Sequence, residues 1–189
     1  MSEKIELNPE YYDRLGRILV AFQDLEQSIT FSLIRLTRTP IGDDIDKEYV
    51  KALSELSFRS RLKLLRNLAE KLKVSDFMYS GCPHEDRRPD FFRELINRLK
   101  KHAIECQALE DKRNQYIHSV WSPSESDADR IARRFKIRVQ SKKTSVVHDE
   151  VPIEELNEVL RNVENNAEMI DFLSHALCSV QVEKRESNA

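Results

Sequence analysis

Glycine is scarce in this 189-residue chain, with 3 residues beside 6 prolines and 1 tryptophan. Tight turns lean on glycine, so its scarcity, together with 34% charged residues, excludes a turn-rich β fold and favours long solvated helices. Cysteine is equally sparse. Cys82, Cys106 and Cys178 are odd in number and widely spaced, which argues against a disulfide framework. They are expected as free thiols, with Cys106 and Cys178 filling core positions on helices. No run approaches the roughly 18 apolar residues of a membrane span, and Met1-Ser2-Glu3-Lys4 opens no signal-peptide hydrophobic stretch. The expectation is a cytoplasmic protein without a membrane partner. Charge of one sign is missing too: the formal net charge is -2 and the pI about 6.2. Any argument for nucleic acid must therefore be local rather than global. No internal repeat or low-complexity tract stands out, and 40% hydrophobic content fits a single domain over residues 1–189.

What is present is helical periodicity. Asn8-Pro9-Glu10 combines a side-chain cap, a proline at the first helical position and an acid at the positive end of the dipole. From there Leu15, Ile18, Leu19, Phe22, Leu25, Ile29, Leu33 and Leu36 make one apolar stripe, predicting a helix over 8–37. Glu26 lies beside that stripe, either as an edge residue in water or as a carboxylate pairing an inward-facing arginine. A short helix is expected over 46–54. Ser57 then caps a helix over 57–73 on which Arg59, Arg61, Lys63 and Arg66 form a solvated face or, on a second reading, a phosphate-contacting one. The segment 75–89 breaks periodicity, and Cys82 with His84 falls short of a zinc site without a second ligand pair. No metal and no cofactor is expected. Further helices are predicted over 90–119 and 152–179, the last with a polar tail at 183–189. Between them Phe135 to Gln140 and Ser145 to His148 alternate with period 2, a hairpin at about 134–148. The class is mainly α, a four-helix bundle with a small β-hairpin inserted between the third and fourth long helices.

That hairpin region gathers Arg130, Arg133, Arg134, Lys136, Arg138, Lys142 and Lys143 against only Asp127 and Asp129. Such a cluster is the footprint expected for a polyanion; a solubilising edge that blocks strand aggregation explains it equally well.

The stretch Asp111-Lys112-Arg113-Asn114-Gln115-Tyr116-Ile117-His118-Ser119-Val120-Trp121 carries the densest site chemistry. The stripe Phe92, Ile96, Leu99, Ala103, Cys106 continues onto Glu110, Arg113, Asn114 and Ile117, so polar residues take over the inward face. A buried arginine costs several kcal/mol unless an anion pairs with it, which predicts a cleft or a subunit contact here. Asn114 and His118 share a face, whereas Arg113 and His118 diverge by about 140° on a straight helix. For the two to act together, the helix must end or bulge near His118, or they must come from different subunits.

Arg113-Asn114-Gln115-Tyr116-Ile117-His118 matches an Arg-polar-x-x-x-His pattern near the end of the third long helix. In this the chain resembles the HEPN superfamily of α-helical bundles, which includes metal-independent RNases of toxin–antitoxin and phage-defence systems. The resemblance implies a homodimer in which Arg113 and His118 contact a scissile RNA phosphate, Asn114 positions them, and attack by the ribose 2′-hydroxyl leaves a 2′,3′-cyclic phosphate. It also implies an antitoxin or activator protein as partner. A catalytically inactive HEPN-like bundle that binds nucleotide, RNA or protein is the alternative. Tyr116 and Trp121 are the candidates for stacking a base, and Arg134, Lys136, Arg138, Lys142 and Lys143 for holding the RNA backbone. The residue types suit the chemistry: histidine supplies a proton carrier near neutral pH and arginine a cation for charge developing on phosphate. The inserted hairpin departs from a minimal bundle and leaves the substrate open.

Overall fold

A computed structural model describes residues 6–37, 44–73, 88–125, 127, 130–140 and 143–186. Among them are five helices and three strands, in the order α1 (Pro9–Thr37), α2 (Asp44–Glu55), α3 (Phe58–Lys71), α4 (Arg88–Ile117), β1 (Val120–Pro123), β2 (Ile131–Gln140), β3 (Lys143–Pro152) and α5 (Ile153–Glu186). The protein is thus mainly helical, as its periodicity predicts. Two features go beyond the sequence reading. The expected two-stranded hairpin is a three-stranded antiparallel sheet of order β1-β2-β3, and α5 extends past residue 179.

Local chemistry explains the helix ends. The Asn8 side chain accepts from the Glu10 amide at 3.0 Å, so the predicted cap of α1 forms and satisfies one of its orphan donors. Ser57 accepts from the Ser60 amide at 3.2 Å and caps α3 in the same way.

The chain groups into two compact units, one drawn from Met1–Gln23 and Ala108–Glu164, the other from Asp24–Gln107 and Asn165–Ala189. In the second unit the buried positions are the apolar stripes of α1, α3, α4 and α5, with Leu25, Ile29, Leu33, Leu62, Leu65, Leu99, Ala103, Ile170, Leu173 and Leu177 fully enclosed. Polar pairs cross between its helices. Ser32 on α1 donates to the Ser174 hydroxyl on α5 at 2.9 Å, and His102 on α4 meets the Asn166 carbonyl on α5 at 2.9 Å. Arg61, buried on α3, donates to Glu26 at 3.0 Å and to Thr30 at 3.0 Å on α1. Glu26 is therefore the carboxylate that pairs an inward-facing arginine. Arg61 leaves the solvated face where sequence placed it, because a guanidinium buried at this depth needs a counter-charge and Glu26 supplies one. Among the described residues Cys106, fully buried, and Cys178, half-buried, form no disulfide; Cys82 and His84 lie outside the described residues.

In the first unit the sheet packs its inner face inward. Ala132 and Val151, paired in register across β2 and β3, are both buried. Tyr11, wholly enclosed, directs its hydroxyl to the carbonyls of Arg130 at 2.6 Å and Val151 at 2.9 Å. The first turns of α1 are thereby tied to both long strands where they begin and end.

Candidate functional site

The motif stretch lies where α4 becomes β1, and the helix stops there for a local reason. The last carbonyls of any helix lack intrahelical donors. Here Ser119 donates to the Gln115 carbonyl, and the Trp121 indole N–H donates to the Tyr116 carbonyl at 2.9 Å. The helix ends at Ile117, and His118 emerges exposed just beyond it. One of the conditions that sequence set for Arg113 and His118 to act together, a helix end near His118, is met. Among the described residues, the His118 side chain forms no hydrogen bond or ion pair.

Arg113 is half-buried in the last turns of α4. Its guanidinium carbon lies 5.7 Å from the centre of the Phe22 ring, within cation–π range, and one terminal nitrogen donates to the Asn114 side-chain carbonyl at 3.3 Å. Its Nε is enclosed without a hydrogen-bond partner, as are those of Arg14, Arg61 and Arg134. The other three are neutralised, by Glu10, Glu26 and Asp149 respectively. Arg113 has no ion-pair partner among the described residues. A half-buried guanidinium of this kind, stacked on one face and short of an acceptor, is suited to take an oxyanion.

Tyr116 is not placed to stack a base. It is buried, its hydroxyl donates to Glu155 at 2.5 Å, and the Arg134 guanidinium covers its ring at 5.7 Å. Burial, then the hydrogen bond to Glu155, pushes the phenol far above its ordinary range. Glu155 also receives Lys112 at 3.2 Å. Burial alone would raise that carboxyl, but the bonds from Tyr116 and Lys112, with the charges of Lys112 and Arg134, hold it below its ordinary value. Trp121 is half-buried, with its ring tilted against Tyr116 at 5.8 Å and Tyr11 at 6.3 Å between centroids. Its indole nitrogen is committed to closing α4.

The arginines described in the basic hairpin region are engaged in the same way. Arg134 is buried, paired with Asp149 and donating to Gln115 at 3.2 Å, so it is no exposed cation awaiting RNA. Arg133 meets Glu125 at 2.8 Å and Glu150 at 3.7 Å, and Arg130 meets Glu154 at 3.1 Å. The reason is register: β2 lays Arg133 opposite Glu150 and Arg134 opposite Asp149, bringing acids that stand 17 and 15 residues away to their partners. Sequence proximity counted only Asp127 and Asp129. Lys136 is half-buried; Lys142 and the side chains of Arg138 and Lys143 lie outside the described residues.

Glu155, Gln115, Asp149 and Phe22 were not singled out for these roles, though Phe22 stood on the predicted α1 stripe. Glu155 falls at the start of the helix predicted over 152–179, and nothing local marks it as the acceptor for a tyrosine 39 residues earlier. Among the described residues, no group of three or more His, Cys, Asp or Glu side chains could hold a metal ion, and no helix is long and apolar enough to cross a membrane. No family model matches the chain, and neither a curated protein nor a solved structure matches it.

Proposed function

We propose that this protein is a metal-independent endoribonuclease of the HEPN kind, built on a four-helix bundle, acting as a homodimer and cleaving RNA beside a ribose 2′-hydroxyl. The observation that carries the reading is Arg113: a half-buried guanidinium stacked on Phe22 with no carboxylate to neutralise it among the described residues, five residues before an exposed histidine just past the helix end. In the proposed step His118 takes the proton of the 2′-hydroxyl as that oxygen attacks phosphorus. The bond to the 5′-oxygen breaks, that oxygen leaves as a hydroxyl with a proton from solvent, and the cyclic phosphate remains. Arg113 stabilises the charge that builds on the phosphate oxygens, and Asn114, already bonded to Arg113, keeps its fork oriented. Both chemical needs are met by side chains, so the step uses no metal.

A proton carrier is ordinarily oriented by a second group, and His118 finds none among the described residues of its own chain. That supports completion of the site by a second copy, as the HEPN resemblance implies. It also gives the alternative its footing: without a dimer, the same residues suit a bundle that binds RNA, nucleotide or protein without cutting. The expected partner, in the cytoplasm, is an antitoxin that holds such an activity in check or an activator that releases it. The test is purified protein with labelled single-stranded and structured RNAs in excess EDTA, reading product ends for cyclic phosphate. Arg113→Ala and His118→Ala should each abolish cleavage in a folded protein. Arg113→Lys should fail as well, since a point charge does not replace a bidentate fork. Cleavage that survives both alanine substitutions would overturn the assignment.

A further inference from the structure

The outer face of the sheet carries a row that none of the roles above uses. Val120 on β1 lies opposite Phe135 on β2, which lies opposite His148 on β3. Directly opposed residues point to the same face, and this face is the one turned away from Trp121, Arg134 and Asp149. Val120 is 67% exposed, Val146 on the same face 58%, and His148 is exposed. The half-buried Phe135 ring lies against the His148 imidazole in a stacked arrangement, 6.4 Å between centroids and 30° between planes. Beside this apolar row runs a polar one, Ser122, Arg133 and Glu150, in which the arginine is already held by its acids.

We propose that the row Val120, Phe135 and His148 is a stacking subsite for an unpaired nucleobase of the RNA whose phosphate meets Arg113 and His118. The proposal rests on the endoribonuclease reading and names where its substrate is gripped. Three observations converge on a base. An aromatic ring on a sheet surface, here Phe135 with the His148 imidazole beside it, is a platform on which single-stranded bases stack. The row sits beside the reacting groups: His118 is two residues from Val120, at most about 7 Å along the chain, and Val120 is the cross-strand neighbour of Phe135. The strip is also edged on one side by the polar row of Ser122, Arg133 and Glu150, so a base lying on it keeps its polar edge beside polar side chains. With Arg130, Arg133 and Arg134 committed to carboxylates, these three leave the grip of the subsite to stacking.

The experiment compares the full-length wild type with Phe135→Leu, which keeps apolar volume and removes the ring, and with Phe135→Tyr, which keeps the ring. Binding of a short single-stranded RNA bearing 2-aminopurine is followed by fluorescence, with an abasic version alongside and sedimentation velocity on each variant. Phe135→Leu should weaken binding by about 5- to 150-fold, the equivalent of one base stacked on one ring, without changing the salt dependence, since no phosphate contact is lost. Phe135→Tyr should bind as wild type, and the abasic RNA should bind wild type no better than the leucine variant. If wild type cleaves RNA while Phe135→Leu binds the intact RNA equally well, the subsite is wrong and the RNase reading stands. If Phe135→Leu alters the oligomeric state and leaves RNA affinity unchanged, the face belongs to a subunit contact and the proposal falls. Wild type that neither binds nor cuts any RNA would overturn both.

Discussion

Removing one oxygen from Tyr116 is a sharp test of how the end of α4 is held. In Tyr116→Phe the ring stays between Arg134 and Trp121, and only the bond to Glu155 is lost. A hydrogen bond to a charged acceptor contributes about 1.5–3 kcal/mol. Glu155 is partly solvated, with 35% of its side chain exposed, and keeps Lys112 as a second partner, so the lower part of that range applies, about 1.5–2 kcal/mol. For a chain of this size the melting temperature should fall by about 3–8 °C. The clean measurement is a double-mutant cycle with Glu155→Gln in urea, followed by the fluorescence of Trp121, the one tryptophan of the sequence, whose ring touches Tyr116. The cycle isolates the pair from the Lys112 contact. Because the Glu155 carboxyl is held below its ordinary value of 4.5, its share of stability is complete above that pH and is lost as pH falls through the lower folded value. A coupling near 1.5–2 kcal/mol at pH 7 that fades in acid is expected. A coupling under about 0.5 kcal/mol at pH 7 would refute the reasoning, since Tyr116 would then be held by packing alone.

Other expectations are independent of that bond. Burial, then the backbone bond near Ala132 acting against it, leaves the Tyr11 phenol raised from 10 to about 12. A raised value means that Tyr11 contributes full stability below pH 10 and loses it as pH rises through about 12, so urea midpoints should drop across that window and drop less in Tyr11→Phe. The Cys106 thiol, enclosed and pushed up by burial to about 12, should resist alkylation at pH 8 in the native protein and react once urea unfolds it.

The helices were legible in the sequence because each carries one apolar stripe whose period is local, readable without knowing what it packs against. β1 was not legible. Val120-Trp121-Ser122-Pro123 is too short to display an alternation and contains a proline, so nothing in it marks a strand. The pairing of the hairpin's arginines was hidden for a different reason. Charge counting along the chain sees neighbours, whereas Asp149 and Glu150 reach Arg134 and Arg133 through strand register, which depends on where the turn falls. Arg61 and Glu26 sit between these cases: sequence offered Glu26 as an acceptor for some arginine, and only the folded unit selects which.

The joint between α4 and β1 has a consequence for how such a chain can change over generations. Ile117 ends the helix and Val120 begins the strand, so His118 and Ser119 alone set the phase between a 3.6-residue and a 2-residue period. Inserting or deleting a single residue there would exchange the faces of β1, turning Trp121 outward from Tyr11 and Tyr116 and Val120 inward. The helix would lose its indole cap, the outer row would lose its first member, and the histidine would leave with a different heading. Length drift should therefore be purged from these two positions even where residue identity is free to vary, and any descendant that lengthens its sheet would have to do so elsewhere.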